Sequence, residues 1–89
     1  MELHASDEAA NQLASQRLAG EMRAELARQK RTASDLAAAL GITPHTVGRR
    51  LNGDVPFNMI ELATACRWLG IDLTEFVGRA STGAKAMAS

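Results

Sequence analysis

The chain of 89 residues contains no tyrosine, and its aromatics are Phe57, Trp68 and Phe76 alone. Its core must therefore be built from Leu, Ile, Val, Met and the abundant Ala, packed between helices. A single cysteine, Cys66, excludes an intramolecular disulfide. It falls on an apolar helical face, the setting of a buried structural thiol and not of a reactive one. His4 and His45 are isolated, so no Cys/His cluster is available for zinc. No nucleophile–base pair stands at useful spacing and no Gly-rich loop is present to cradle phosphate. An enzyme is accordingly the weakest reading, and neither a cofactor nor a small-molecule ligand is expected. No apolar run is long enough to span a membrane. The start, Met-Glu-Leu-His-Ala, has neither the basic segment nor the apolar run of a signal peptide. These absences point to a soluble protein of a reducing cytoplasm. There is no convincing alternating strand and no internal repeat, so the chain reads as one small all-α domain of modest stability.

What is there is concentrated in residues 33–52. Leu36 and Leu40 are four apart and share a helix face, with Ala37 small enough to let a second helix cross closely. Gly41 follows, where a chain leaving a helix needs positive φ. Ile42 is apolar within the turn. Thr43 is a good N-cap, and Pro44 suits the first helical position. Val47 and Leu51 give the next helix its buried stripe. His45, Thr46, Arg49 and Arg50 are left to point largely outward, and Gly53 stops the helix. Two short helices around one tight turn describe a helix-turn-helix, whose second helix can enter the DNA major groove. An ordinary helical hairpin is the bland alternative. Gly48 in mid-helix costs about 1 kcal/mol relative to Ala, which asks for a close approach to another backbone or to DNA.

Around this unit the pattern predicts three more helices. The first starts near Ser6 or Asp7, within a stretch 1–8 that reads as loosely ordered, and runs to about Gln29. Leu18, Met22 and Leu26 recur along it every four residues, joined by Ala14 and Glu25, with Leu13 one turn earlier. Glu21 and Glu25 alternate with Arg17, Arg28 and Gln29 as a solvated face. Thr32 caps helix two, with Asp35 completing a capping pair. Asn52-Gly53-Asp54 is a turn, followed by extended Val55-Pro56-Phe57. Helix four runs from its cap Asn58 to Leu69, burying Met59, Leu62, Ala65, Cys66 and Leu69. Gly70 ends it, and Asp72 caps a short fifth helix, Leu73 to Val77, anchored by Phe76. The expected division is an N-terminal, partly helical extension over 1–14, the helix-turn-helix domain over 15–78, and a flexible tail of small and polar residues over 79–89.

The formal net charge is zero, but it is unevenly distributed. Residues 17–52 carry seven Lys or Arg against three acids, whereas residues 1–16 carry three acids and no base. Positive charge therefore gathers around the helix-turn-helix, as an electrostatic footprint for nucleic acid should. The acidic ends weaken non-specific affinity, which comes mostly from phosphate contacts.

Three segments carry a family resemblance over residues 15–77: Thr32-Ala-Ser-Asp-Leu-Ala-Ala-Ala-Leu-Gly41, Ile42-Thr-Pro-His-Thr-Val-Gly-Arg-Arg-Leu-Asn-Gly53, and Ile60-Glu-Leu-Ala-Thr-Ala-Cys-Arg-Trp-Leu-Gly70 followed by Ile71-Asp-Leu-Thr-Glu-Phe76. Together they resemble the lambda-repressor-like (Cro-type) helix-turn-helix family, a compact five-helix DNA-binding fold with helices two and three as the motif. The segment from Thr46 to Gly53, with Pro56 and Phe57, is similar to short regulators of actinobacterial temperate phages. The resemblance implies base reading by Pro44, His45 and Thr46, with Arg49 one turn on. Pro44 offers only apolar readout, such as a thymine methyl, and Arg49 suits a guanine O6/N7 edge. It implies phosphate contacts from Ser34, Thr43, Arg50 and Asn52, and from the helix-four N-terminus at Asn58. Ala33 stands where the family often has Gln, so one anchoring contact is missing. Lys30 and Arg31 either reach phosphate or form only a polar loop.

The leading expectation is a sequence-specific transcription regulator of double-stranded DNA, a Cro-like or immunity-type repressor that occludes a promoter. A separate antitoxin or a phage excision-type accessory protein is an alternative to that plan. A protein-binding adaptor that kept the fold and lost its DNA contacts is the rival from another class, favoured by net neutrality, Ala33 and Pro44. Dimerisation is expected because two half-sites add specificity. Its candidate surfaces are helix five with Phe76 and Val77, and Trp68, which either anchors an interface or folds against helix one. Monomeric binding to a half-site is the alternative.

Overall fold

The computed structural model describes the backbone of residues 3–88 and the side chains of residues 8–81. Five helices occur in order: α1 (Leu3–Arg28), α2 (Ala33–Leu40), α3 (Pro44–Leu51), α4 (Met59–Leu69) and α5 (Leu73–Ala88). No strand occurs among the described residues. The helix ends are set by local chemistry. Thr32 accepts the Asp35 N–H at 3.0 Å while the Asp35 carboxylate accepts the Thr32 N–H at 2.9 Å, a reciprocal capping box. Gly41 leaves α2 at φ 71°, a left-handed conformation that turns the chain toward α3 without steric cost. Thr43 caps α3, with Pro44 in its first turn. Asn58 and Glu61 form a second capping box at α4. Asp72 accepts the Glu75 N–H at the start of α5.

The core joins all five helices. Met22 and Leu26 of α1 meet Leu36, Val47, Leu51, Leu62, Cys66 and Leu69. Phe57 from the α3–α4 loop and Phe76 from α5 complete it. Phe76 is wholly buried, a burial that contributes roughly 1.5–3 kcal/mol. α2 packs on α3 and α4, while α1 packs on α3 and α5. The helix-turn-helix is thus carried on a frame made by the other three helices.

Four expectations need correction. α1 is already helical from Leu3, ahead of the expected start at Ser6 or Asp7, and residues 3–14 continue without a break into the rest of the helix; Met1 and Glu2 lie outside the described residues. α5 does not stop at Val77 but continues to Ala88; only Ser89 of the expected tail lies outside the described backbone. The helix has a reason to continue, because Ala80 is buried and Arg79 pairs with Glu75 and Glu25. Met59 is 68% exposed and Ile60 78% exposed, whereas Glu61 is buried. The capping box turns Glu61 inward and swings Met59 out. Finally, Glu25 is buried and not solvated. Its carboxylate accepts hydrogen bonds from Arg28, from Gln29 at 2.9 Å and from Arg79 at 3.1 Å. The Gln29 bond, opposed by burial and helped by the two arginines, holds the Glu25 carboxyl below the usual glutamate range.

Candidate nucleic-acid interface

α3 is eight residues long, and its two sides differ in character. Val47 and Leu51 are buried, while Pro44, His45 and Arg49 are exposed. His45 and Arg49 are four apart and share a face, with Gly48 and Pro44 on the same side. Thr46 is half-buried, and its N–H donates to Thr43 Oγ1 at 3.1 Å. The two threonine hydroxyls also bond to each other at 2.9 Å. Thr43 is therefore a cap whose oxygen is engaged by its own helix. A Cβ built on Gly48 would meet nothing within 4 Å, so no close approach within the chain accounts for that glycine.

Ser34 is exposed in the first turn of α2, near the helix N-terminus where free N–H groups favour an anion. Lys30 is exposed and left-handed at φ 56°, ending the turn after α1. Arg31 places its guanidinium 4.3 Å from the centroid of the Trp68 ring, a cation–π contact. Trp68 accordingly faces Arg31 and α2, lining a shallow surface depression with Asp35, Ala38 and Ala39. Asn52 is exposed, and its Oδ1 accepts the Asp54 N–H at 3.2 Å. Asn58 is exposed and occupied as the α4 cap, accepting the Glu61 N–H at 2.7 Å.

Arg50 departs from expectation. Its Nε donates to Glu61 Oε1 at 3.0 Å and its Nη2 donates to Glu61 Oε2 at 3.3 Å. Its side chain is only 18% exposed. A guanidinium held by both edges of a carboxylate is committed to that partner, so Arg50 is not the solvent-facing phosphate contact that the sequence implied. Glu61 lies outside the 17–52 window, so this pair removes one charge from the basic excess around the motif. Burial pushes the Glu61 carboxyl up, but the Arg50 and Asn58 hydrogen bonds and the Arg50 charge outweigh it and hold the group below its usual range. Phe76 also departs from expectation: it is wholly buried and cannot form a dimer surface, whereas Val77 beside it is 40% exposed.

Sequence reasoning missed two residues that hold the motif. Glu61 was legible as half of an Asn-x-x-Glu capping box, but its pairing with Arg50 was not. Arg23 of α1 donates to the Leu51 carbonyl at the end of α3, and nothing local to Arg23 signals this. Ser15 and Gln16 reach the Gly53 carbonyl at 3.4 and 3.5 Å. Gly53 itself is left-handed at φ 83° and lies against the Gln16 side chain. Among the described residues no group of three His, Cys, Asp or Glu side chains is placed to hold a metal ion. Likewise, no described helix is long and apolar enough to cross a membrane.

No family model matches the chain, and no curated protein matches it in sequence. Solved structures do match in fold. One crystal structure of the clp gene regulator ClgR from Corynebacterium glutamicum superposes with a TM-score of 0.79 at 21% identity, covering 84% of this chain and 80% of that one. A second ClgR structure from the same organism gives a TM-score of 0.73 at 21% identity, covering 79% of this chain and 91% of that one. The all-α, five-helix helix-turn-helix fold expected from the sequence is thus the fold of this protein, shared with a bacterial gene regulator.

Proposed function

We propose that the protein is a sequence-specific double-stranded DNA-binding transcription regulator that places α3 in the major groove. The observation that carries this reading is the division of α3. Its buried side is anchored by Val47 and Leu51, while Pro44, His45 and Arg49 stand exposed on one outward face. In this reading His45 and Arg49 read base edges, Pro44 meets a thymine methyl, and Thr46 lies at the margin of the contact. Ser34 at the α2 N-terminus, Asn52, Asn58, Lys30 and Arg31 face the phosphate backbone. Gly48 in the middle of the exposed face lets that backbone or a base edge come close. The likeness of the fold to ClgR, a clp gene regulator, supports a regulatory role. A short repressor of the phage type, acting by promoter occlusion as a homodimer, is the finer form of the proposal, with exposed Val77 and half-buried Trp68 as its candidate contact residues.

The test is selection of bound duplexes from a random pool near physiological salt, for the wild type and for Arg49→Ala. An enriched palindrome supports a dimeric DNA reader, and a single half-site supports a monomeric one. Arg49→Ala is expected to relax preference at one position by about 1–3 kcal/mol. No enrichment by a folded wild type refutes the proposal. It would then favour the second reading, a protein-binding adaptor or antitoxin-like protein, for which the exposed neighbours Met59 and Ile60 are the specific observation.

A further inference from the structure

α3 spans two turns, too few to be rigid in isolation, yet a reading helix must present its side chains within a fraction of an ångström. Something outside α3 must hold it. At its last turn, beside the buried Leu51 and the Arg23 bond to its carbonyl, one contact reaches α4: the Arg50–Glu61 pair, whose side chains are 18% and 11% exposed. The Glu61 carboxylate is not free to follow Arg50, because Oε1 also accepts the Asn58 N–H at 3.0 Å. The Asn58 side chain in turn accepts the Glu61 N–H. The anion is thus fixed in the first turn of α4 before it meets the guanidinium, and its two oxygens meet Nε and Nη2 in the flat, two-bond arrangement that fixes orientation as well as distance.

We propose that Glu61 is the positioning residue of the DNA-reading helix: through Arg50 its carboxylate locks the last turn of α3 to the first turn of α4 and withholds Arg50 from phosphate. This rests on the DNA-reading assignment above. Arg49, the neighbour of Arg50, takes its direction from that lock. Glu61 need touch no DNA to govern specificity, and a neutral or shorter side chain there leaves the exposed face of α3 chemically intact but loosely aimed.

Two variants and two readouts test this. Glu61→Gln keeps an acceptor for the Asn58 N–H and removes the charge. Arg50→Met keeps the apolar stem and removes the fork, and serves alone if Glu61→Gln unfolds. In the free protein, each is expected to speed amide hydrogen exchange of Val47 to Leu51 by about tenfold while the amides of Met22 and Phe76 keep their rates. On the duplex selected by the wild type, each is expected to lower the ratio of selected to random-duplex affinity by about tenfold. The slope of log affinity against log salt stays unchanged for Arg50→Met and does not fall for Glu61→Gln, which releases the arginine, and the double variant is no worse than either single one. A pair that contributes only stability would lower the melting temperature without moving that ratio well below it. If Arg50→Met instead reduces the salt slope by about 0.9, the loss of one phosphate contact, and Glu61→Gln has no effect, the proposal is overturned. Unaltered exchange across α3 overturns it as well. If the wild type selects no duplex, the DNA-reading assignment fails, and the exchange measurement still decides whether Glu61 holds α3.

Discussion

Arg23 of α1 donates a guanidinium N–H to the carbonyl of Leu51, the final residue of α3. The last carbonyls of a helix lack partners within it, and here the long first helix supplies donors, with Ser15 and Gln16 extending the cap to Gly53. Arg23→Ala is expected to destabilise the protein by about 1 kcal/mol. Urea unfolding followed by circular dichroism measures it, and an unchanged midpoint would show that water replaces the cap without loss.

Gly48→Ala is expected to act in opposite directions on two properties. An added methyl meets nothing in the protein, so stability rises by about 0.5–1 kcal/mol through helix propensity. If DNA approaches this face of α3, affinity for the selected duplex falls. A variant that is both more stable and fully active in DNA binding would remove Gly48 from the interface.

The adjacent residues Phe76 and Val77 should separate cleanly. Phe76 is wholly buried, and Phe76→Ala is expected to cost about 3–5 kcal/mol, enough to unfold much of a domain of this size. Val77→Ala on the exposed side should stay within about 0.5 kcal/mol. If Val77 forms a dimer contact, that substitution also shifts the sedimentation of the protein toward the monomer while the melting temperature of the dilute chain holds.

Stability should fall on acidification. Glu25 and Glu61 both titrate below the ordinary glutamate value of 4.5 in the folded protein. The unfolded chain therefore takes up these protons first. The two groups contribute their full stability above about pH 4.5 and lose it as the pH falls through their lowered values. Cys66 is pushed up by burial and adds no slope in this range. Urea midpoints between pH 7 and pH 3 measure the trend, and Glu25→Gln should flatten it. A variant that keeps the wild-type slope would show that Glu25 is not one of the groups responsible.

The parts of this fold legible in sequence are those decided within four residues. Thr32 with Asp35, Gly41, Thr43 with Pro44, and the cap Asn58 each fix a helix end by contacts to near neighbours, and each was readable. The spacing of Val47 and Leu51 likewise identified the buried side of α3, and with it the exposed positions of His45 and Arg49. The errors arose where a charged side chain found a partner far along the chain. Arg50 looked like a surface arginine because Glu61 is eleven residues away. Glu25 looked solvated because Arg79 is fifty-four residues away. That same distant pairing, with Ala80 packing inward, carries α5 past Val77. Met59 looked buried because periodicity counts apolar residues and does not foresee that a capping glutamate will take the inward position.

The lone indole of this chain has a consequence for how the molecule can be watched. Trp68 sits under the Arg31 guanidinium at 4.3 Å, beside Asp35 of α2, and there is no tyrosine elsewhere to feed or mask its emission. The protein thus carries one native fluorophore at the joint between α2 and α4. A stopped-flow trace of its intensity follows the making and breaking of that joint without any label. Added to a duplex titration, the same signal registers whether the Arg31 cation leaves the ring when a polyanion arrives.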